Sequence, residues 1–264
     1  MYGPDAFRIE AALSQRSVFL DSLTSGSGMN HTAMLLLLTC AAGSVDAISY
    51  LGLGHVFTAM MTGNTVLLGL ALGQGQILAA VRSILALIGF SLGVTIGSMI
   101  VQRDDGHAAW PATVTRALAL EAGLLGAFAL VWHFTGPERS ENILYVLIGL
   151  TAVAMGLQSA AVQRLGVPGV MTTYITGTLT SLMVDLGRRL SARLAWVKGP
   201  AATHKHERRI VLLSAVFVVY GCGALAGSFL QVHGFSFAIL LPFISVGIVV
   251  LTAACINPAG SHGN

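Results

Sequence analysis

Two carboxylates stand where carboxylates are expensive. Asp46 lies inside "AAGSVDAISY" and Glu121 inside "LALEAGLLGAF", both in long apolar surroundings. An ionisable side chain at mid-membrane depth costs about 2.5–3.5 kcal/mol on insertion scales, so by default it marks function. Asp46 and Glu121 are therefore read as candidate proton sites, and Asp46 also as a ligand for the cationic part of a solute. Gly43 and Ser44, just before Asp46, loosen the helix and can free backbone carbonyls. For both residues the alternative is structural: a carboxylate held by helix-terminal N–H groups or, for Glu121, by Arg116 five residues earlier. Asp185 sits beside Arg188 and Arg189 and reads as an interfacial ion pair.

A second set of polar groups falls in "MMTGNTVLLGLALG", where Thr62, Gly63 and Asn64 interrupt an apolar run, and in its counterpart "TTYITGTLTS" with Thr176 and Gly177. Threonine and asparagine supply donors and acceptors where lipid supplies none, and glycine lets a backbone or solute come close. Gln158 is a further polar residue within an apolar stretch. Together Asp46, Thr62, Gly63, Asn64, Gln158, Thr176 and Gly177 form the expected substrate-binding set, with Gly63 and Gly177 permitting close approach. The alternative is helix packing through small and polar residues. Gly89, Gly93 and Gly97, echoed by Gly223 and Gly227, read as packing faces.

The elements that must position these groups follow from composition. The chain has 264 residues, 55% hydrophobic and 9% charged, with a mean hydropathy of +0.78. Soluble domains carry about 25% charged residues. Uncharged runs such as 84–101, 117–131, 143–162 and 210–230 match the ~20 residues that cross a bilayer as helix. They lack the alternation of a β-barrel. The fold class is thus all-α, a polytopic transmembrane bundle of six to eight apolar segments near 33–53, 57–73, 78–101, 113–134, 143–164, 170–187, 209–231 and 235–255.

The second and sixth segments are the shortest, and each follows a glycine-containing break: Gly52-Leu53-Gly54 and Gly166-Val167-Pro168-Gly169. Thr62-Gly63 and Thr176-Gly177 are 114 residues apart, Asp46 and Gln158 are 112 apart, and Gly93/Gly97 and Gly223/Gly227 are 130 apart. The order is kept, which indicates an internal duplication. The expected organisation is a polar tail (1–31), a first membrane repeat (32–134), a second (135–256) containing a basic loop (188–209), and a short tail (257–264).

Seven of the fourteen basic residues (Arg188, Arg189, Arg193, Lys198, Lys205, Arg208 and Arg209) lie in or beside that loop. The positive-inside rule then places the loop and the amino terminus in the cytoplasm. If all eight segments span, eleven basic residues fall inside; if the second and sixth are re-entrant, twelve do. The count accepts both. Eight spans make the repeats parallel and six make them inverted.

The stretch from Gly43 to Gly73 resembles the opening of the YoaK-like family of bacterial membrane proteins. The elements carrying the likeness are Gly43, Asp46-Ala47, Phe57 and Thr62-Gly63-Asn64, and it extends over about 33–255. The resemblance implies a polytopic inner-membrane protein and no established activity. In the second half Thr178 replaces the asparagine.

The sequence contains no phosphate loop, no GxGxxG, HExxH or GxSxG motif, and no ordered nucleic-acid module. The three cysteines read as buried hydrophobes. The expectation is a small-solute transporter or channel-like permease with a site between the repeats, without catalysis, cofactor or metal. A membrane scaffold or sensor that binds a partner through the basic loop is the alternative. The expected partners are the lipid bilayer and a small solute, not nucleic acid, with a homo-oligomer left open.

Overall fold

The computed structural model describes residues 26–102, 110–136, 139–166, 172–173, 175–194, 204–234 and 237–256. Among them are eight helices and no strand: α1 Gly26–Gly52, α2 Met61–Gly73, α3 Ile77–Val101, α4 Ala112–Thr135, α5 Glu141–Leu165, α6 Ile175–Leu194, α7 His204–Val232 and α8 Leu240–Ile256. The all-helical expectation holds. Two boundaries differ from it. Helix α1 begins at Gly26, inside the segment read as a polar tail. The basic segment 188–209 is mostly helix, its ends lying in α6 and α7; residues 195–203 fall outside the described set, as do the rest of the N-terminal tail and 257–264.

Local chemistry sets the ends. Pro111, with φ −65°, leads into α4, where its missing N–H costs nothing. Glu141 places a negative charge in the first turn of α5, where the helix dipole favours it. Helix α5 stops at Gly166, in the left-handed conformation at φ 66°. After α1 the chain turns sharply through Gly54 at φ 80° and His55 at φ 63°.

Five helical stretches are long and apolar enough to cross a membrane: His31–Gly52, Ile77–Val101, Ala112–Thr135, Glu141–Leu165 and Glu207–Val232. Helix α8 has 17 residues, about 26 Å at 1.5 Å per residue. Much of their outer surface is apolar. On α3, Ile84, Ile88, Leu92 and Ile96 form an exposed stripe at helical spacing, and on α7 Val211, Val218 and Leu225 do the same. Water would penalise such faces and lipid does not.

Which ends lie together is set by two apolar clusters. One joins the end of α1 (Ile48, Leu53) to the start of α3 (Ala86), the end of α4 (Phe128, Trp132), the start of α5 (Leu147, Ile148) and the approach to α8 (Ala238, Ile239). Gly52 also meets Gln231 at the end of α7, and Arg82 on α3 pairs with Glu141 on α5. This is the far end. The other cluster includes Met34 and Leu35 at the start of α1, Val101 at the end of α3, and Val114 early in α4. It also takes in Leu165 at the end of α5, Ile210 and Leu213 early in α7, and Ala253 late in α8. This is the near end, where His31 stacks on Trp110.

Helices α1, α4 and α7 therefore run from near end to far end, and α3, α5 and α8 run back. The segment 53–76, containing α2, leaves and rejoins the bundle at the far end. Helix α5 ends and α7 begins at the near end, with α6 between them in the chain.

The closest helix crossings are built on glycine. A side-chain carbon at Gly43 would overlap the Tyr220 carbonyl oxygen, and carbons at Gly223 and Gly227 would strike the α1 backbone at Cys40 and Ser44. Likewise Gly93 meets Val153, and Gly156 meets the backbone of Phe90, Gly93 and Val94. The main packing pairs are α1–α7 and α3–α5, then α4–α5 and α1–α8, α2–α3 and α6–α7, and α4–α8. Exchanging α1 with α5, α2 with α6, α3 with α7 and α4 with α8 leaves that set unchanged.

Candidate functional site

Asp46 lies on α1 six residues before its far end, a depth of about 9 Å. The chain leaves α1, turns at Gly54 and comes back down to this level before α2 begins. The returning strand is not helical, so its N–H groups need acceptors in a place without water. Asp46 supplies them. Its Oδ1 accepts the N–H groups of Thr58 at 2.9 Å, Ala59 at 2.7 Å and Met60 at 3.3 Å. Its Oδ2 accepts the Tyr220 hydroxyl of α7 at 2.6 Å. The Ser49 and Thr58 hydroxyls share a hydrogen bond of 3.0 Å beside it. The carboxylate is 3% exposed, and both of its oxygens point to protein donors.

Asn64, fully buried in the first turn of α2, closes the same hairpin. Its Oδ1 accepts the Phe57 N–H at 2.9 Å and its Nδ2 donates to the Phe57 carbonyl. The Phe57 ring stacks on Tyr50 at 5.0 Å between centroids. It also fills the space beside Gly63, where a side-chain carbon would collide with it. The opening at Gly63, expected to admit a solute, admits Phe57. Thr62 is exposed on the outer face of α2.

Around Gln158 and α6 the chemistry is different. Gln158, fully buried on α5, donates from Nε2 to the Leu38 carbonyl of α1 at 3.0 Å and to the Thr172 hydroxyl at 2.9 Å. Ser159 and Thr173 share a hydroxyl hydrogen bond of 3.0 Å. Thr176 is exposed, Gly177 is half-buried and Thr178 is buried on α6. Of the expected substrate set, Asp46, Gly63 and Asn64 fall at the first network and Gln158 in the second, while Thr62 and Thr176 are exposed outside both. Leu38 lies eight residues before Asp46 on α1, so the networks sit about 12 Å apart along the helix axis.

Glu121 belongs to neither network. It is fully buried on α4, and neither carboxylate oxygen has a hydrogen-bond partner. Arg116, the partner expected from the sequence, is exposed. Asp185 behaves as expected with one change of partner: it pairs with Arg188 at 3.7 Å and Arg209 at 3.1 Å, while Arg189 pairs with Glu207 at 2.9 Å. Among the described residues, no group of three His, Cys, Asp or Glu side chains could hold a metal ion.

Sequence reasoning passed over Tyr220, Ser49, Thr58 and Thr172. A signal existed for two of them, since Thr58 and Thr172 keep the 114-residue offset of the Thr-Gly pairs.

Comparison with known proteins agrees with this architecture. Residues 34–252 match the family described as "Protein of unknown function (DUF1275)". The chain is 39% identical over 223 residues to UPF0700 transmembrane protein YoaK of Bacillus subtilis (strain 168), covering 84% of this chain and 94% of that one. No solved structure matches it significantly. The chain is a multi-pass transmembrane protein and belongs to the DUF1275 family, as the motif from Gly43 to Asn64 indicates.

Proposed function

We propose that this protein is a small-solute permease of the bacterial inner membrane, built from two duplicated halves of opposite orientation. Residues 32–134 and 135–256 are the halves, each with three crossing helices and one re-entrant helix. The amino terminus and the basic 188–209 segment lie in the cytoplasm. With six crossings, twelve of the fourteen basic residues fall on that side and only Arg82 and Arg139 on the other.

One observation carries the reading. Two half-helices enter from opposite ends, each led in by non-helical backbone and pinned by a buried polar side chain, Asp46 or Gln158, on the first helix of its own half. Unwound backbone at membrane depth is tolerated where it is sealed in protein or lines a cavity. Paired broken helices in inverted repeats are how many transporters build a site near the midplane. The main packing pairs are unchanged under exchange of the halves, the lesser α3–α4 contact excepted, and this supports the duplication. In this reading the lead-ins Phe57–Met60 and Thr172–Thr173 face the solute path when the hairpins part. Asp46, Asn64 and Gln158 hold them in the sealed state.

The test is cysteine accessibility in right-side-out and inside-out vesicles, with single cysteines at Ala59 and Thr173 in a background lacking Cys40, Cys222 and Cys255. A membrane-impermeant maleimide should label Ala59 from the far end and Thr173 from the near end. If neither position reacts from either side, the hairpins are sealed structure and the scaffold reading, with its partner on the basic segment, takes its place.

A further inference from the structure

We infer that Glu121 is a proton-binding site set in the seam between the two halves. Glu121 is nine residues from the start of α4, about 14 Å along a helix of 24 residues, and so lies near mid-depth. Helix α4 belongs to the first half, but it packs mainly on α5 and α8 of the second, with a lesser contact to α3. The side chain is fully buried there.

Among the described residues its surroundings offer no counter-charge. Helix α8 carries no titratable side chain except Cys255, near its end. On α5 the titratable groups are Glu141, already paired with Arg82 of α3, Tyr145 one turn further on, and Arg164 at the opposite end. On α4 itself they are the exposed Arg116 and His133, close to the far end. A bare carboxylate there would stand unpaired in a low-dielectric interior, at a cost of several kcal/mol even after relaxation. The cheapest neutralising partner is a proton, because it needs no other ligand. A metal cation would require several oxygens around it, and the backbone carbonyls of continuous helices are already engaged.

A second observation points the same way. The Gln158 Oε1 is also buried without a partner. It sits about 10 Å from the near end of α5, a depth close to that of Glu121 on the helix packed against it. Both Glu121 oxygens and this amide oxygen are acceptors left without a donor at similar depth. A protonated Glu121 supplies one.

The role in transport rests on the permease reading. A carboxyl that is dry while the seam is closed, and wet once the halves rock apart, exchanges its proton once per cycle. The proton itself can be tested without any transport, so failure here and failure of the permease reading are distinguishable. Purified full-length protein in lipid vesicles is examined by infrared spectroscopy at pH 7. The expected result is the C=O stretch of a protonated carboxyl that shifts in D₂O, is lost in Glu121→Gln and persists in Asp46→Asn. Glu121→Asp, which keeps the acid, should move the band without removing it. The inference is overturned if wild-type protein has no such band at pH 7, or if Glu121→Gln retains it. It is also overturned if added Na⁺ removes the band at constant pH, because a metal cation would then be the ligand.

Discussion

Replacing Asp46 separates a hairpin anchor from a solute ligand. Asp46→Ala removes the acceptor for the Thr58, Ala59 and Met60 N–H groups and for the Tyr220 hydroxyl. An orphaned buried donor costs about 1–3 kcal/mol. Counting Thr58, Ala59 and Tyr220, and leaving out the longer Met60 bond, gives about 3–9 kcal/mol. Hydrogen bonds inside membrane proteins average only about 0.6 kcal/mol in double-mutant cycles, and water can enter the vacated space. The lower end, about 3 kcal/mol, is therefore the working value.

Asp46→Asn should cost much less. Its remaining oxygen still accepts the backbone N–H groups, and its amide donates to the Tyr220 hydroxyl, which can turn to accept. What is lost is charge assistance, roughly half the strength of each bond, or about 1 kcal/mol after the same discount. Tyr220→Phe leaves Oδ2 unmatched and should fall between the two. Because the groups share one network, Asp46→Asn combined with Tyr220→Phe should cost less than the sum. The assay is reversible unfolding in mixed micelles followed by tryptophan fluorescence. If Asp46→Ala were as stable as wild type, or more stable, the anchor argument would fail. Gains of that kind are what removing a strained functional residue tends to produce.

Three further outcomes follow from the same structure. Gly156→Ala and Gly149→Ala should have opposite signs. The first drives a carbon into the α3 backbone and should destabilise by about 1–3 kcal/mol. The second meets nothing within 4 Å and should stabilise by about 0.5–1 kcal/mol, both read by the same unfolding assay. In vesicles, a cysteine at Asp105 should be labelled from the same face as one at Lys198, and a cysteine at Gln74 from the other; Asp105 and Lys198 on opposite faces would mean eight crossings. Amide hydrogen exchange should be faster at Thr172 and Thr173 than at Thr58 and Ala59, because among the described residues it is Thr58, Ala59 and Met60 whose backbone N–H groups bond to the Asp46 carboxylate; equal protection would mean that the carboxylate adds nothing to the hold on the first hairpin.

The helices were legible because apolar runs of bilayer length leave few alternatives, and Thr62-Gly63 and Thr176-Gly177, 114 residues apart, each fall in the first turn of a helix, α2 and α6. The site was less legible because neighbours in sequence point to different sides of a helix. Thr62 and Asn64 are two residues apart in α2, about 200° around the axis, so they cannot face one site. Asn64 turns inward to Phe57 and Thr62 turns out. Arg116 and Glu121 are five apart, about 140° around α4, which placed their ion pair out of reach from the start. Tyr220 could not have been found this way. It follows Asp46 by 174 residues, and only the crossing of α1 and α7, made close by Gly43, brings the two together.

Asp46 and Gln158 fasten the segments they bond by different chemistry. A carboxylate can only accept, so it suits a lead-in whose N–H groups converge, and it ties three of them and a tyrosine from α7 into one charge-assisted knot. The Gln158 amide instead donates to a threonine hydroxyl and to a carbonyl on α1, and keeps an unmet acceptor. The first hairpin is therefore fastened to both halves by strong bonds, since Asp46 and Tyr220 come from different halves. Among the described residues the second is held by neutral bonds, Gln158 to Thr172 and Ser159 to Thr173. If the halves rock, the weaker fastening gives first, so opening should begin at the near end, where the basic segment lies. The acceptor left free on Gln158 is then close in depth to Glu121, the one carboxyl among the described residues with no partner. The looser hairpin and the seam proton site fall at the same level of the bundle, where a change in protonation can bias the step that opens it.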